Sequence, residues 1–316
     1  MKFSAKTKLA AAILLASIGT TANSATIYQN DGLSYNVKGD WQVQLRKKAG
    51  NDQKLDIEFD DLELKNSVTY ALTDGLSAFG QLDISFDNEG NDQSKDSAKL
   101  EEAYVGLDFG AATVAIGRQN LAGDEFGVEA AYETHTAEDR FEQVADKGDD
   151  VVRFSTQLGS INIVGSALLA AESSANAAGE AVDLFLSTAI AGVKLAAAYQ
   201  NFNDNNPGSE DQKTWGVSAS FDAQVAVIAA DYSTTDTGTH DEDVTNIVLR
   251  FTPADTVKAA VGAVFVDNGT TDSTEWYANA TYHFPERKNV NLFVEIADTD
   301  EDNVSLGYLA GMQLKF

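Results

Sequence analysis

The sequence contains no cysteine, only three prolines and only three histidines among 316 residues. Without cysteine, the chain forms no disulfides, thiolate metal sites or cysteine nucleophiles. His135, His240 and His283 lie on separate segments, so imidazole-based catalysis or metal binding has few candidates. Basic residues are also scarce, with 22 Lys and Arg against 49 Asp and Glu and a formal charge of −27. So negative a chain excludes nucleic acid as a partner, because phosphates require basic patches.

Beyond residue 24 the sequence also lacks any apolar run of about 18 residues, which excludes transmembrane helices. The first 24 residues differ, because three lysines precede an apolar core at 9–18 and "ANSA" supplies small residues for cleavage. This pattern predicts a secretory signal peptide, residues 1–24, with a mature chain that begins at Ala25. Loss of the three lysines would take the formal charge from −27 to −30. The competing interpretation is an uncleaved amphipathic anchor.

The rest of the chain shows a period of two, which is typical of a strand with one apolar and one polar face. In "YNVKGDWQVQLR", which starts at Tyr35, the odd positions are apolar or glycine and the even positions are polar or charged. Sixteen such segments follow one another, and they are joined by fifteen connections that alternate in length. The short connections are 73–75, 110–112, 159–160, 191–192, 222–223, 252–255 and 285–288. The long connections are 48–55, 87–98, 118–150, 171–181, 203–213, 233–243, 267–273 and 298–303.

Two architectures fit alternating strands, a soluble β-sandwich and a membrane β-barrel. Tight turns join antiparallel neighbours, so all short connections lie at one end of the sheet and all long ones at the other. Aromatic residues concentrate near both strand ends, as in the girdles of outer-membrane barrels. Because hydrocarbon satisfies no open strand edge, a membrane sheet must close on itself. We therefore predict an all-β transmembrane antiparallel barrel of 16 strands, with short periplasmic turns and long external loops.

The inward faces of the predicted strands carry amide and hydroxyl side chains, which a dry core would leave unpaired. A 16-stranded barrel is wide enough for an aqueous channel. The prediction is therefore a barrel with lipid outside and water inside.

The chain resembles the Gram-negative general-diffusion porins over essentially the whole of residues 25–316. The segments that carry the resemblance are "ATIYQNDGLSYNVKGD", "EEAYVGLDFGAATVAIGRQ", "DDVVRFST" and the terminal "GMQLKF". The resemblance implies a trimeric barrel for passive diffusion of small hydrophilic solutes across the outer membrane, without a cofactor. It also implies that segment 87–98 latches onto a neighbouring subunit. Acidic external loops are further expected, on general grounds, to bind divalent ions that they share with lipopolysaccharide phosphates.

The final strand carries an apolar stripe that resembles the sorting signal of such barrels, which the barrel-assembly machinery recognises. Its members are Tyr308, Met312, Leu314 and Phe316.

By the same resemblance, the third external connection, residues 118–150, folds into the barrel lumen and narrows it. Acids on this loop are then expected to face bases on the barrel wall, which would create a transverse field in a narrow water column. The predicted loop acids are Asp124, Glu125, Glu129 and Glu133, and the predicted wall bases are Arg46, Arg118, Arg153, Lys194, Arg250 and Lys258. Arg118 has the parity of outward residues, so its role requires a bulge. The alternative interpretation is a solvated acidic surface loop with no role in the passage.

Other chemistry finds little support. "DTDEDN" at 298–303 lacks the glycine and the final glutamate of a calcium loop, so we predict no metal site. A hydrolase site around His240, Asp241 and Ser233 lacks diagnostic spacing, and we predict no enzyme. Two further functions remain open. One is a substrate-specific porin that uses the inward aromatics Phe79, Tyr104, Phe185, Tyr277 and Phe293, and the other is a receptor or adhesin. With so acidic a chain, a diffusion channel should weakly prefer cations.

Overall fold

The computed structural model describes residues 25–86, 98–132, 138–170, 179–206, 208, 210–301 and 304–316. The predicted signal peptide, Glu133 and positions 87–97 of the predicted latch lie outside the described residues.

The described chain forms seventeen strands and one short helix. The strands are β1 (Ala25–Asn30), β2 (Leu33–Lys47), β3 (Asp56–Thr73), β4 (Leu76–Ser85), β5 (Lys99–Asp108), β6 (Ala112–Asn120), β7 (Lys147–Leu158), β8 (Ile161–Leu168), β9 (Glu180–Ile190), β10 (Val193–Asn203), β11 (Gln212–Asp222), β12 (Ala226–Asp236), β13 (Asp241–Ala254), β14 (Val257–Asp267), β15 (Asp272–Phe284), β16 (Arg287–Thr299) and β17 (Gly307–Lys315). Helix α1 spans Arg140–Val144. No helix among the described residues is long and apolar enough to span a membrane.

Strands β2 to β17 form a closed antiparallel barrel of sixteen strands, as predicted. Each strand pairs with the next along the chain, and β17 pairs with β2 to close the sheet. Strand β1, which the sequence did not predict, pairs with β2 from Ala25 opposite Val37. Phe316 ends the chain on the same strand, where it bonds to Gly39 through both its N–H and its carbonyl. The two ends of the described chain thus lie next to each other on β2.

Burial in this barrel is the reverse of that in a soluble protein. Large apolar side chains of the outward face are exposed, for example Trp41 at 46% and Ile296 at 44%. Polar side chains of the inward face are buried, for example Gln44 and Asn246, both at 1%. An apolar exterior suits hydrocarbon, and a polar interior suits a water-filled lumen. The alternation in the sequence therefore separates lipid from water.

The connections divide by length as predicted. Those at the short-turn end contain two or three residues, such as 74–75 and 159–160, and Gly75 and Gly159 have positive φ there. Four long connections are shorter than predicted, because the strands on either side extend further, and one of them reduces from 267–273 to 268–271. Positions 118–150 reduce to 121–146, positions 233–243 to 237–240, and positions 203–213 to 204–211.

Candidate functional site in the barrel lumen

The described parts of residues 121–146, here called the inner loop, fold into the barrel lumen and lie against its wall. The loop leaves and rejoins the barrel at one place, because the Leu121 N–H donates to the carbonyl of Asp146 at 2.6 Å. Its described parts are an outgoing limb, 121–132, and a return limb, 138–146. The outgoing limb begins with a 3-10 turn at Ala122–Glu125, and the return limb contains α1.

Inward carboxylates of the wall hold the outgoing limb by its backbone. Three backbone N–H groups of the limb each donate to a different strand. They are Gly123 to Asp183 on β9 (3.2 Å), Val128 to Asp231 on β12 (2.7 Å) and Tyr132 to Glu295 on β16 (2.6 Å). Hydrogen bonds to an ionised acceptor are roughly twice as strong as neutral ones. The wall acids therefore fix the path of the limb around half of the barrel.

Apolar packing adds to these bonds near the base of the loop. Phe126 and Phe141, one from each limb, pack with ring centroids 5.0 Å apart. Beneath them lie Phe185 and other inward apolar residues of β8 to β10. Phe126 also lies directly over Gly216, where an added Cβ would come within 2.6 Å of the ring. Only glycine leaves room there for the aromatic side chain.

The far end of the outgoing limb is held by an aromatic pair. Tyr132 stacks on Phe293 with centroids 4.7 Å apart, and its hydroxyl bonds to Thr281. Nearby, the Ala130 N–H donates to the Tyr277 hydroxyl at 2.9 Å. Phe185, Tyr277 and Phe293, three of the inward aromatics considered for a substrate path, therefore contact the inner loop. Phe79 and Tyr104 pair with each other on β4 and β5.

Two of the predicted wall bases contact the inner loop. Arg153 on β7 forms an ion pair with Glu125 and donates to the carbonyl of Asn120 at 3.1 Å. Arg250 on β13 donates to the carbonyls of Val128 and Glu129, the second at 3.1 Å. These arginines bind the loop itself, so they do not face it across open water as the sequence suggested.

Three other predicted bases lie elsewhere on the inward face. Arg46 pairs with Glu58 at 3.1 Å between β2 and β3, and both side chains are buried. Lys194 and Lys258 are exposed at the starts of β10 and β14, close to the short-turn end. The structure does not bring these lysines together with the described loop acids.

Arg118 does not reach the loop acids either. The expected irregularity exists, because the β6–β7 register shifts between Gly117 and Gln119. The extra residue lies on β7, however, so the alternation of β6 is not reversed and Arg118 keeps outward parity. Its guanidinium bonds to the carbonyl of Glu101 at 3.0 Å and to the carboxylate of Asp149.

Three of the described loop acids lie close to one another. Asp124 accepts from Asn120 at 2.8 Å, and its carboxyl oxygens lie within 4.8 Å of those of Glu142 and Asp146. Burial, followed by the repulsion of neighbouring acids, raises the pKa of Glu142 to about 7. Burial also raises the pKa of Asp124, although its bond from Asn120 and the charge of Arg153 oppose the rise. This part of the lumen therefore has a strong negative potential.

The remaining predicted groups occupy separate places. Ser233 accepts from the Arg140 N–H at 3.0 Å, whereas His240 bonds to Thr239 and Glu242 on the outer rim. Neither contact forms a hydrolase site. Of the predicted sorting stripe, Tyr308, Met312 and Phe316 are 40–43% exposed on the outward face, and Leu314 is half-buried on the same face.

Comparisons with known proteins agree with this architecture. The sequence profile of the Gram-negative porins matches residues 9–304. Porin-like protein H of Photobacterium profundum is 26% identical over 98% of this chain and 99% of its own length.

Solved porins have the same fold. The trimer form of OmpT from Vibrio cholerae has a TM-score of 0.74 and 14% identity, with 90% of this chain and 100% of that chain covered. An anion-selective porin from Comamonas acidovorans has a TM-score of 0.74 and 13% identity, with the same shares covered. Together with the polar lumen inside an apolar exterior, the family match shows that the protein is an outer-membrane channel. The chain belongs to the Gram-negative porin family.

Proposed function

We propose that the protein is a passive diffusion channel for small hydrophilic solutes and ions, with a weak preference for cations. The observation that carries this proposal is an acidic inner loop in a polar lumen. Residues 121–146 contain eight acids and one arginine, and two of the described acids, Glu125 and Glu142, are only partly covered by protein. A narrow passage lined by one sign of charge raises the local concentration of the opposite ion.

The two bases that contact the loop offset only part of this charge. Arg153 pairs with Glu125 and Arg250 donates to backbone carbonyls, and each neutralises at most one of the eight negative charges, so the acids remain in excess. The porin from Comamonas acidovorans has the same fold and is anion-selective. Ion preference therefore depends on the side chains that line the passage, and here these are mainly carboxylates.

Reversal potentials across planar bilayers in a KCl gradient test this proposal. We expect a potential of the sign that indicates cation preference, and a smaller one in the double variant Glu125→Gln/Glu142→Gln. Asp255→Asn, in a short turn far from the loop, should leave the potential unchanged. A potential of the opposite sign would contradict the cation preference. A conductance that one solute saturates would favour a substrate-specific porin, and absence of conductance would favour a receptor or adhesin.

We also propose a homotrimer, which one feature of the outward face supports. The Tyr35 hydroxyl donates to Asn66 at 2.7 Å, and Asn66 donates to the carbonyl of Leu82 at 3.1 Å. Asn66 lies between the apolar outward positions Leu64 and Val68. A polar pair facing hydrocarbon is costly, whereas one covered by another subunit is not.

Substitution by a bulky residue tests this interface. We expect Asn66→Trp to convert the trimer to monomers on native electrophoresis, because the larger side chain separates the packed surfaces. Val217→Trp, on the exposed outward face of β11, should leave the trimer intact, since tryptophan is tolerated at a lipid-facing surface. Equal trimer content in both variants would refute the assignment of this face.

The remaining proposals concern export and surroundings. We propose that residues 1–24 are removed on export and that the barrel-assembly machinery recognises the last strand. We also propose that acidic external loops share divalent cations with lipopolysaccharide. Amino-terminal sequencing of the exported protein that began anywhere but Ala25 would contradict the first point. If a chelator of divalent cations did not release lipopolysaccharide from the purified protein, the proposal of shared cations would be contradicted.

A further inference from the structure

The return limb of the inner loop combines several acids with a single base. It contains Glu138, Asp139, Glu142 and Asp146, and the outgoing limb places Asp124 beside the last two. Like charges this close repel one another by an amount that grows as water is excluded. The limb nevertheless packs against the wall, so specific contacts must oppose this repulsion.

Arg140 supplies those contacts, although it is absent from the bases that the sequence pointed to. It is the one lysine or arginine in residues 121–146, and only 7% of it is exposed. Its guanidinium bonds to Thr235 on β12 at 3.1 Å and to Glu242 on β13 at 2.5 Å, and a third bond joins Gln143. Its backbone N–H donates to Ser233 at 3.0 Å.

The residues before Arg140 reinforce this attachment. Asp139 caps α1 by accepting from the N–H groups of Phe141 and Glu142 at 2.7 and 3.1 Å. The carbonyl of Glu138 accepts from Asn246 on β13 at 2.6 Å. Arg140 is thus positioned at the point where the return limb meets two wall strands, two residues before Glu142.

We propose that Arg140 and Glu242 form a clamp that holds the return limb against the wall and keeps the carboxyl groups of Glu142, Asp146 and Asp124 together in the passage. Arg140 is a positioning residue, since it acts on ions through the acids that it places. This inference rests on the proposed diffusion function and names the contact that sets its ion preference.

The sequence suggested acids on the loop and bases on the wall, and the clamp has the two charges the other way round. Its base belongs to the loop and its acid belongs to the wall. Glu242 also accepts from His240 on the outer rim at 3.1 Å, so the clamp joins the inner loop to an external turn. Removal of Glu242 takes the acid away from the buried guanidinium of Arg140, and removal of Arg140 takes away the base that joins the limb to Glu242. In both cases the limb then moves away from the wall.

The clamp predicts a distinctive pH dependence. Glu142 faces Glu138, Asp139, Asp146, Asp124 and Lys147, and burial with repulsion raises its pKa to about 7. A raised carboxyl pKa means that the packed limb binds a proton more tightly than a released limb does. Packing is therefore favoured as pH falls through about 7 and is opposed above it. Ionised Glu142 attracts cations and protonated Glu142 does not, so the cation preference of the native channel should rise in a step as the pH passes about 7.

Reversal potentials measured between about pH 3.5 and 8 test the clamp. Arg140→Gln should move the midpoint of the step to lower pH, because a released Glu142 regains solvent and its ordinary pKa. Glu242→Gln should move the midpoint in the same direction, although it changes the charge of the protein in the opposite sense. Arg140→Lys should restore part of the shift, and Glu142→Gln should remove the step. If the substitutions acted only through the charge of the lumen, the midpoint would move to higher pH in Arg140→Gln and to lower pH in Glu242→Gln.

Arg287→Gln is the matched control, since it removes an exposed arginine at the short-turn end. Its profile should superimpose on the native one. Heat-dependent migration on gels confirms that each variant has folded, and Glu242→Gln keeps the test valid if Arg140→Gln does not fold. Normal conductance with an unmoved midpoint in both clamp variants would overturn the clamp alone. Absence of conductance in the native protein would overturn the diffusion function.

Discussion

Replacing residues 122–145 by a short Gly-Ser linker is expected to raise the single-channel conductance several-fold and to reduce the cation preference. The inner loop occupies the lumen along strands β8 to β16, so its removal widens the water column. The excised segment contains seven acids and one arginine. Fixed charges also act less strongly on ions that pass more than a Debye length, about 10 Å at 0.1 M salt, from the wall.

The barrel should survive this excision because its closure does not depend on the loop. Every strand from β2 to β17 pairs with both neighbours through the backbone. The ends of the loop already meet, since the Leu121 N–H donates to the carbonyl of Asp146. Asp183, Asp231 and Glu295 lose their loop partners, but water in the open lumen then solvates them. Stability should fall because the packing of Phe126 and Phe141 is lost. Truncation of one such phenylalanine to alanine typically costs about 3–5 kcal/mol.

Single-channel recording together with reversal potentials measures both effects. A matched control shortens the external connection 204–211, where the N–H groups of Asn205 and Asn206 donate to the nearby side chains of Asn203 and Asp204. That variant should have native conductance. If excision of the inner loop left conductance and selectivity unchanged, the loop would not form the constriction.

Much of the fold follows from local sequence patterns. A strand between lipid and water must alternate, so "DWQVQLRK" indicates both its conformation and the face that points inward. Tight turns with Asp-Gly or Ala-Gly mark the short-turn end. Strand β1 was missed because six residues that are exposed at every position carry no contrast between two faces.

The contacts of the inner loop were harder to predict because they join residues far apart in the chain. Val128 and Asp231 are 103 positions apart, and Tyr132 and Glu295 are 163 apart. One signal was available. Asp183, Asp231 and Glu295 are acids at inward positions in the middle of strands, where a carboxylate needs a partner. Arg140 offered no such signal, since a single arginine in an acidic loop is expected to be solvated.

A second large effect is expected at the last residue. Phe316→Ala should sharply reduce the amount of folded protein in the outer membrane, yet should alter stability in detergent only slightly. The Phe316 ring makes an edge contact with Trp41 at 5.4 Å and lies over Gly39, where an added Cβ would be 2.1 Å from it. Such an aromatic pair contributes about 0.5–1.5 kcal/mol beyond its buried area. The two backbone bonds to Gly39 are kept when alanine replaces phenylalanine.

Trp41→Leu separates recognition from stability, because it removes the same ring contact and leaves the carboxyl-terminal residue intact. Both variants should lose a similar, small amount of stability when unfolded by urea in detergent. Only Phe316→Ala should accumulate as unfolded protein before insertion, since a terminal aromatic on an apolar stripe is the feature proposed to be recognised by the assembly machinery. Equal losses of outer-membrane protein in both variants would mean that the ring contributes to packing alone. If the two variants were equally stable in detergent and only Phe316→Ala reduced the amount of outer-membrane protein, the terminal ring would be identified as the recognised group.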